Sequence, residues 1–308
     1  MGESLSDCCC GDFQGLQVQP WLQSAPSSIV GLRNRDNRCY ANAALQCLTR
    51  IAPIEHFFHS GFIHTCNDPI SGYFCAFLYS QQANSPDESR VTALIHSLRF
   101  SIGKLHDSYE FLQSLLCSLQ ASPCEPNLSS LFQGSLITTR VCDFCDSAQK
   151  SGQSCLGISL ELPASKAEVR LVDLIAEFFT PEVDWQSANC AVCGQLLPST
   201  HSLTMQPPTV LLLHLKRMLL TAAGDMRKSH TFVHCPASSL DLSAYSDSQA
   251  EYDLAAVISH ENNHYTCQVH RPDFGLWLHC DDERVRELSS CHLSSSAYVL
   301  MYTLHLAT

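Results

Sequence analysis

The sequence has little positive charge and no long apolar run. Lysine and arginine number 18 of 308 residues, against 30 aspartates and glutamates, and the net charge is −12. The chain lacks the clustered Lys and Arg that phosphate binding needs, which argues against nucleic acid as the main partner. The acidic balance suits a basic partner instead. No apolar run approaches the ~18 residues of a membrane-spanning helix. The N-terminus has no long apolar stretch, so no secretory signal is expected. Charged residues are only 16% and hydrophobic ones 45%, a globular composition with ample core for this length. No internal repeat and no second folded domain is evident.

Cysteine is the opposite case, with 18. Without a secretion signal the expected setting is a reducing compartment, where thiols stay free, bind metal or catalyse. Cys47, Cys117 and Cys267 fall in apolar surroundings and read as core.

Residues 1–29 read as a Ser- and Gln-rich flexible tail. Met1-Gly2-Glu3-Ser4-Leu5-Ser6 fits the N-myristoylation pattern, and Cys8, Cys9 and Cys10 offer palmitate acceptors. Two lipids would anchor the chain where one would not. Glu3, directly after the acceptor glycine, counts against acylation; the alternative is a tail with incidental cysteines.

From Cys39 the pattern turns helical, with Ala41, Ala44, Leu45 and Leu48 on one stripe. Asp36 and Asn37 are positioned to cap it. Cys39 then sits at a helix N-terminus, where the dipole favours thiolate. A second helix starts near Asp107, which has capping-box spacing to Glu110, and buries Phe111, Leu112, Leu115, Leu116 and Leu119. Beyond residue 130 the chain reads as strands and turns: 136–139, 210–215, 252–259, 264–269 and 297–304.

Two Cys-x-x-Cys pairs, Cys142/Cys145 and Cys190/Cys193, can supply four thiolates to one tetrahedral zinc. Such a site is structural, because it leaves no open position for substrate. The 44 residues between the pairs exceed compact-ribbon spacing, so something is inserted.

The stretch from His264 to Asp282 carries a base and a carboxylate. His264, Thr266 and Gln268 share one strand face. Pro272-Asp273-Phe274-Gly275 reads as a hairpin turn. A two-residue loop sets His264 opposite Asp281, and a four-residue loop makes them diagonal neighbours; a three-residue loop would put them on opposite faces. Asp282 would point away on a regular strand and is the second choice. With Cys39 these residues offer the nucleophile, base and orienting acid of a cysteine hydrolase.

Together the Cys39 block, His106–Leu112, the two Cys-x-x-Cys pairs, His214-Leu215-Lys216-Arg217 after Pro207-Pro208, the His264 block and Ala297–Leu300 resemble the ubiquitin-specific proteases, papain-like cysteine deubiquitinases, in family order over residues 30–304. The resemblance implies an α+β fold: a helical thumb (about 30–130), β-rich zinc-ribbon fingers (about 131–209) and an antiparallel-sheet palm (about 210–308). It implies Cys39 as nucleophile, His264 as base, Asp281 as orienting acid and Asn34 as an oxyanion donor. Asp107 and Tyr265 are the expected substrate-binding residues, and structural zinc is the cofactor. Departures from the family pattern are Asp36 and Asn263 for glycines, Arg38 for threonine, Arg35 for an apolar residue, His106 for glutamine and Met218 for an aromatic. Asp36 and Asn263 are expected at positive φ, which Asp and Asn tolerate best after Gly. Arg38 either favours thiolate or obstructs the cleft.

The expected activity is hydrolysis after the C-terminal glycine of ubiquitin through an acyl-enzyme on Cys39. The alternatives are an inactive ubiquitin-binding scaffold and a protease for another ubiquitin-like modifier. A zinc-ribbon nucleic-acid binder fits the charge poorly. A monomer in the cytoplasm is expected, peripheral at a membrane if acylated, and nothing in the sequence bars the nucleus.

Overall fold

Apolar periodicity sets the helices, and the carboxylates of Asp68, Asp87 and Asp107 cap three of them. A computed structural model of the chain describes residues 29–59, 68–82, 85–122, 128–220 and 224–305. The acylation pattern at Gly2 and Cys8–Cys10 lies outside the described residues, with all of the expected tail but its last residue. The helices are α1 (Cys39–Leu48), α2 (Ala52–His59), α3 (Pro69–Gln82), α4 (Glu88–Ser97), α5 (Ser108–Ala121) and α6 (Leu171–Phe178). The strands are β1 (Gly134–Val141), β2 (Ala148–Cys155), β3 (Ile158–Glu161), β4 (Glu168–Arg170), β5 (Glu182–Asn189), β6 (Leu196–Gln206), β7 (Val210–Lys216), β8 (Met218–Leu220), β9 (Met226–Lys228), β10 (Phe232–His234), β11 (Leu240–Asp241), β12 (Glu251–Glu261), β13 (His264–Arg271), β14 (Leu276–Asp281), β15 (Arg284–Leu288) and β16 (Ala297–Leu304).

The chain divides into two units, residues 1–130 with 260–291, and residues 131–259 with 292–308. Residues 260–291, expected with the palm, cluster with the helices because β13 and β14 pack on α1.

In the first unit α1 contacts β13, β14 and α5. Every residue of α1 is buried, not only the expected stripe, and Asn42 and Gln46 are inside with the rest. Asp107 caps α5 as expected, its carboxylate accepting from the Tyr109 and Glu110 amides at 2.7 and 3.0 Å. Phe111, Leu112, Leu115, Leu116 and Leu119 form the buried face. Cys117 is exposed, a correction to its reading as core, because it falls on the opposite face of α5; Cys47 and Cys267 are buried as expected.

The β13–β14 register runs from Cys267 opposite Cys280 to Arg271 opposite Leu276. Pro272–Gly275 is therefore a four-residue loop, and Gly275 takes the left-handed φ of +62°. This is the even-parity case. Before β13, Asn262 and Asn263 form a two-residue turn with φ of +47° and +61°, the paired left-handed conformation of a tight hairpin.

The second unit contains a four-stranded sheet, β2-β1-β6-β5, and a second set of strands ordered β12-β16-β7-β3 with β11 on the edge of β12. The apolar run of β7 buries Val210, Leu211, Leu212, Leu213 and Leu215, as a strand covered on both faces should. Arg217 is buried behind it and donates to the carbonyls of Ala297, Ser229 and Thr231. Met218, at the start of β8, is about half exposed. α6 lies within the stretch read as strands and turns, and buries Leu171, Leu174 and Ile175.

Candidate active site and four-cysteine cluster

Cys39 begins α1 and is 3% exposed. The expected cap does not form. Arg38 is the N-cap residue and makes no side-chain cap bond. Asp36 and Asn37 instead take φ of +59° and +58°, and the Asn37 amide donates to the Gly103 carbonyl at 3.1 Å. No cap side chain therefore competes for the first amides of α1. Backbone N–H groups of Tyr265, Tyr40 and Cys39 itself act on the thiol and lower its pKa. Burial outweighs them, and the Asp282 charge adds to it, so the thiol is pushed above its ordinary value of 9.0. The expected thiolate at the helix terminus is thus corrected for this state: desolvation wins over the amides.

His264 opens β13, and Asp281 closes β14. The four-residue loop makes them diagonal neighbours, and His264 Nε2 lies 2.7 Å from Asp281 Oδ1. Asp282 does not point away, which corrects the regular-strand expectation. It has left the strand with φ of +51°, and its Oδ2 lies 3.8 Å from the same nitrogen. The two acids differ in setting. The Asp281 side chain is 40% exposed and that of Asp282 12%. Burial raises the Asp282 pKa above 3.8, opposed by the Asn42 hydrogen bond, the His264 charge and a hydrogen bond from Asn34.

α1 holds Asp282 from below. Asn42 Nδ2 donates to Asp282 Oδ1 at 2.8 Å, and Gln46 Nε2 to the Asp282 carbonyl at 3.3 Å. The Leu32 amide takes that same carbonyl at 3.0 Å. Gly31 makes the approach possible, because a Cβ there would stand 2.3 Å from the Asp282 oxygen. Gly31, Asn42 and Gln46 belong to the Cys39 block of the sequence, which assigns them no role; two amides four apart within an apolar helix are the available signal. With Nε2 facing the acids, Nδ1 is the nitrogen available to the thiol. Among the described residues no hydrogen bond joins Cys39 to His264.

Tyr265 and Asp107 come together. Tyr265 is buried beneath His260, whose ring stacks on it at 4.2 Å. Burial first, then the Asp107 charge, raises its hydroxyl pKa, and the Ser108 backbone opposes them. His106 packs edge-on against Tyr40 and Phe100. Arg38 turns away from the thiol. Its Nη2 meets Glu88 Oε2 and its Nη1 meets Thr92 Oγ1, both at 3.1 Å, on α4. Arg35 also reaches Glu88, at 3.5 Å.

In the second unit, the Cys142, Cys145, Cys190 and Cys193 sulfurs lie within 4.8 Å of one another. The separations are 3.4 Å for Cys142–Cys145 and 3.7 Å for both Cys142–Cys193 and Cys145–Cys190. Four sulfurs at ~2.3 Å from one tetrahedral ion stand roughly 3.8 Å apart, so the donor set fits one metal ion. The two turns have equivalent backbone bonds: the Cys142 amide to Ser147 and the Cys190 amide to Gln195, both at 2.9 Å. Ser147 Oγ lies 3.2 Å from both Cys145 and Cys190. Its hydrogen bond, with the Cys193 and Val192 amides, pulls the Cys190 thiol down to about 6. The inserted 44 residues contain β2, β3, β4, α6 and β5.

The ubiquitin carboxyl-terminal hydrolase family model matches residues 30–302. Ubiquitin carboxyl-terminal hydrolase 25 of Arabidopsis thaliana is 26% identical, over 89% of this chain and 47% of its own length. Human ubiquitin carboxyl-terminal hydrolase 17 is 27% identical, over 92% and 57%. A human relative described as inactive, ubiquitin carboxyl-terminal hydrolase 17-like protein 8, is also 27% identical, over 92% and 57%. The chain thus spans about half the length of these relatives. Among solved structures, the SAGA Ubp8/Sgf11/Sus1/Sgf73 DUB module bound to ubiquitin aldehyde matches with a TM-score of 0.76 at 21% identity, covering 91% of this chain and 70% of that one. The likeness establishes the fold.

Proposed function

Because the chain belongs to the ubiquitin carboxyl-terminal hydrolase family, we propose that it is a thiol-dependent deubiquitinase acting through Cys39, His264 and Asp281. The observation that carries the reading is the 2.7 Å contact of His264 Nε2 with Asp281, on a strand whose next amide, that of Tyr265, acts on the Cys39 sulfur. His264 takes the thiol proton as the Cys39 sulfur attacks the carbonyl carbon of the terminal glycine. The oxyanion that forms is held by the Asn34 amide and by backbone N–H groups at the start of α1. His264 then protonates the leaving lysine amine as the C–N bond breaks. In the second half it draws a proton from water, which releases ubiquitin from the acyl-enzyme. Asp281 fixes the ring orientation and stabilises the imidazolium.

Asp107 and Tyr265 bind the extended ubiquitin tail. Asp107, already the cap of α5, supplies a negative charge to a basic tail. Zinc is the ion proposed for Cys142, Cys145, Cys190 and Cys193. When bound it cross-links the two turns and takes no part in the chemistry.

A second reading, a ubiquitin-binding scaffold without turnover, has one observation in its favour: the raised Cys39 pKa with no hydrogen bond to His264. The altered glycines do not favour it, since Asp36 and Asn263 adopt the positive φ a glycine would. The experiment is intact mass after incubation with a ubiquitin C-terminal electrophile. One adduct on the wild type and none on Cys39→Ala supports the hydrolase. Binding without an adduct supports the scaffold, and neither adduct nor binding points to another ubiquitin-like modifier.

A further inference from the structure

The segment from Gly31 to Arg38 has no regular structure, and it carries Asn34 between two arginines. Asp36 and Asn37 are left-handed, so the backbone there does not hold itself as a helix or strand would. Its two ends are tied differently. At the near end the Asn42 amide reaches the carbonyls of Leu32 and Arg33 at 3.3 and 3.2 Å. At the far end Asp36 and Asn37 pair with Gly103, its amide donating to the Asp36 carbonyl and the Asn37 amide donating to its carbonyl, both at 3.1 Å, and the tie to α4 is the Arg38 side chain. Its Nε returns to the Arg33 carbonyl at 3.1 Å, closing the segment on itself around Asn34. Its Nη1 and Nη2 fasten the closed segment to Thr92 and Glu88 on α4. The side chain is 7% exposed, whereas those of Arg33 and Arg35 are 63% and 62% exposed. A planar fork that serves three acceptors in three directions is a geometry arginine can make and lysine cannot.

We propose that Arg38 is a positioning residue for the reaction: it clamps the Asn34 segment to α4, so that the Asn34 amide is already in place when negative charge develops on the scissile carbonyl. The inference rests on the deubiquitinase reading with Asn34 as oxyanion donor. It resolves the two alternatives that the sequence left for this cation. The guanidinium is turned to Glu88, neither serving the thiol nor blocking it. A preorganised donor needs a rigid support, and the cost of losing that support appears in the chemical step more than in binding.

Removing Arg38 leaves Glu88 with charged neighbours, because Arg35 lies 3.5 Å and Arg33 3.9 Å from it. Arg38→Thr is therefore expected to fold. On ubiquitin bearing a C-terminal fluorogenic amide, kcat is expected to fall roughly ten- to a hundredfold, with KM within about threefold. Arg38→Lys recovers part of the loss. The double variant Asn34→Ala/Arg38→Thr is expected to be no slower than Asn34→Ala alone, because the clamp acts through Asn34. Amide exchange of residues 31–38 is expected to quicken in Arg38→Thr while that of α1 is unchanged.

Additive losses in the double variant, or a fall in KM performance with kcat intact, would overturn the inference. So would unchanged exchange in residues 31–38. If Asn34→Ala slows turnover and Arg38→Thr does not, the clamp fails and the hydrolase reading stands. If the wild type neither turns over nor takes the electrophile, the hydrolase reading fails and the catalytic role of Arg38 fails with it.

Discussion

Asn42 Nδ2 donates to Asp282 Oδ1 at 2.8 Å, and it does so from a position with no solvent exposure. A buried amide on α1 thereby fixes the less exposed of two acids that face one histidine. Asp282 carries a raised pKa because burial outweighs its hydrogen bonds. An acid whose folded pKa lies above its unfolded one costs stability as pH rises from the unfolded pKa toward the folded one, since the unfolded chain loses its proton first. Asp282→Asn keeps an acceptor for Asn42 and removes the buried charge. Urea denaturation against pH is expected to show the wild type losing stability upward from about pH 4, and the variant losing less. Asn42→Ala is expected to cost about 1–3 kcal/mol by leaving that carboxylate short of a donor. Equal pH profiles for wild type and Asp282→Asn would remove Asp282 as the source.

Cys39 is expected to be a slow nucleophile in the free protein. Its thiol is raised above 9.0, chiefly by burial, and the thiolate is the reactive form. Alkylation by iodoacetamide, followed by mass at Cys39, should accelerate with pH and reach its midpoint above the ordinary thiol value. Ubiquitin binding should then raise reactivity toward a C-terminal electrophile at neutral pH, by aligning His264 with the sulfur. Fast alkylation of the free protein at pH 6 would show a standing thiolate–imidazolium pair instead.

Much of this site was legible because a strand has a period of two. Placing His264 and Asp281 on one face needed only an even loop, and the four residues Pro272–Gly275 supply it. The pattern could not place Asp282, because a φ of +51° takes it out of the strand where alternation holds. The positive φ of Asp36 and Asn263 was readable from residue type, since glycine's two nearest substitutes stand there. The cap of α1 is illegible for the opposite reason: Asp36 and Asn37 are good caps and good left-handed residues, and local sequence does not choose between the two. Arg38 and Glu88 are 50 residues apart, and no local period links them. α6 was hidden because eight residues inside a strand-rich stretch offer barely two helical turns to recognise.

Arg271, at the end of β13, pairs with Glu55 on α2 at 3.2 Å, with both side chains 11% exposed. Burial raises the Glu55 pKa and the Arg271 charge lowers it, with burial the larger. Breaking such a pair from one side leaves a charge stranded. Arg271→Met is expected to cost roughly 3–5 kcal/mol, and Arg271→Met/Glu55→Leu much less than either single change suggests. Denaturant midpoints for the two singles and the double decide it. A double variant as unstable as the sum of the singles would mean the groups act separately.

The four-cysteine cluster makes the most direct prediction about composition. Its sulfurs lie within 4.8 Å of one another, three of the pairs at 3.4–3.7 Å, with two backbone turns already closed around them, so metal binding needs little rearrangement beyond loss of thiol protons. Protein purified without chelator is expected to carry one zinc per chain. Removing it with a strong chelator at mildly acid pH should lower the Tm and open residues 131–206 to proteolysis, because the ion ties β1–β2 to β5–β6. Zinc release should grow as pH falls, since each ligand must bind as thiolate and protons compete for it. Cys190→Ser is expected to weaken binding by at least about tenfold, while Ser147→Ala, which removes only the hydroxyl beside Cys145 and Cys190, costs roughly 10-fold or less. A chain that folds and holds its Tm with no metal and four free thiols would mean that hydrogen bonds alone maintain the two turns.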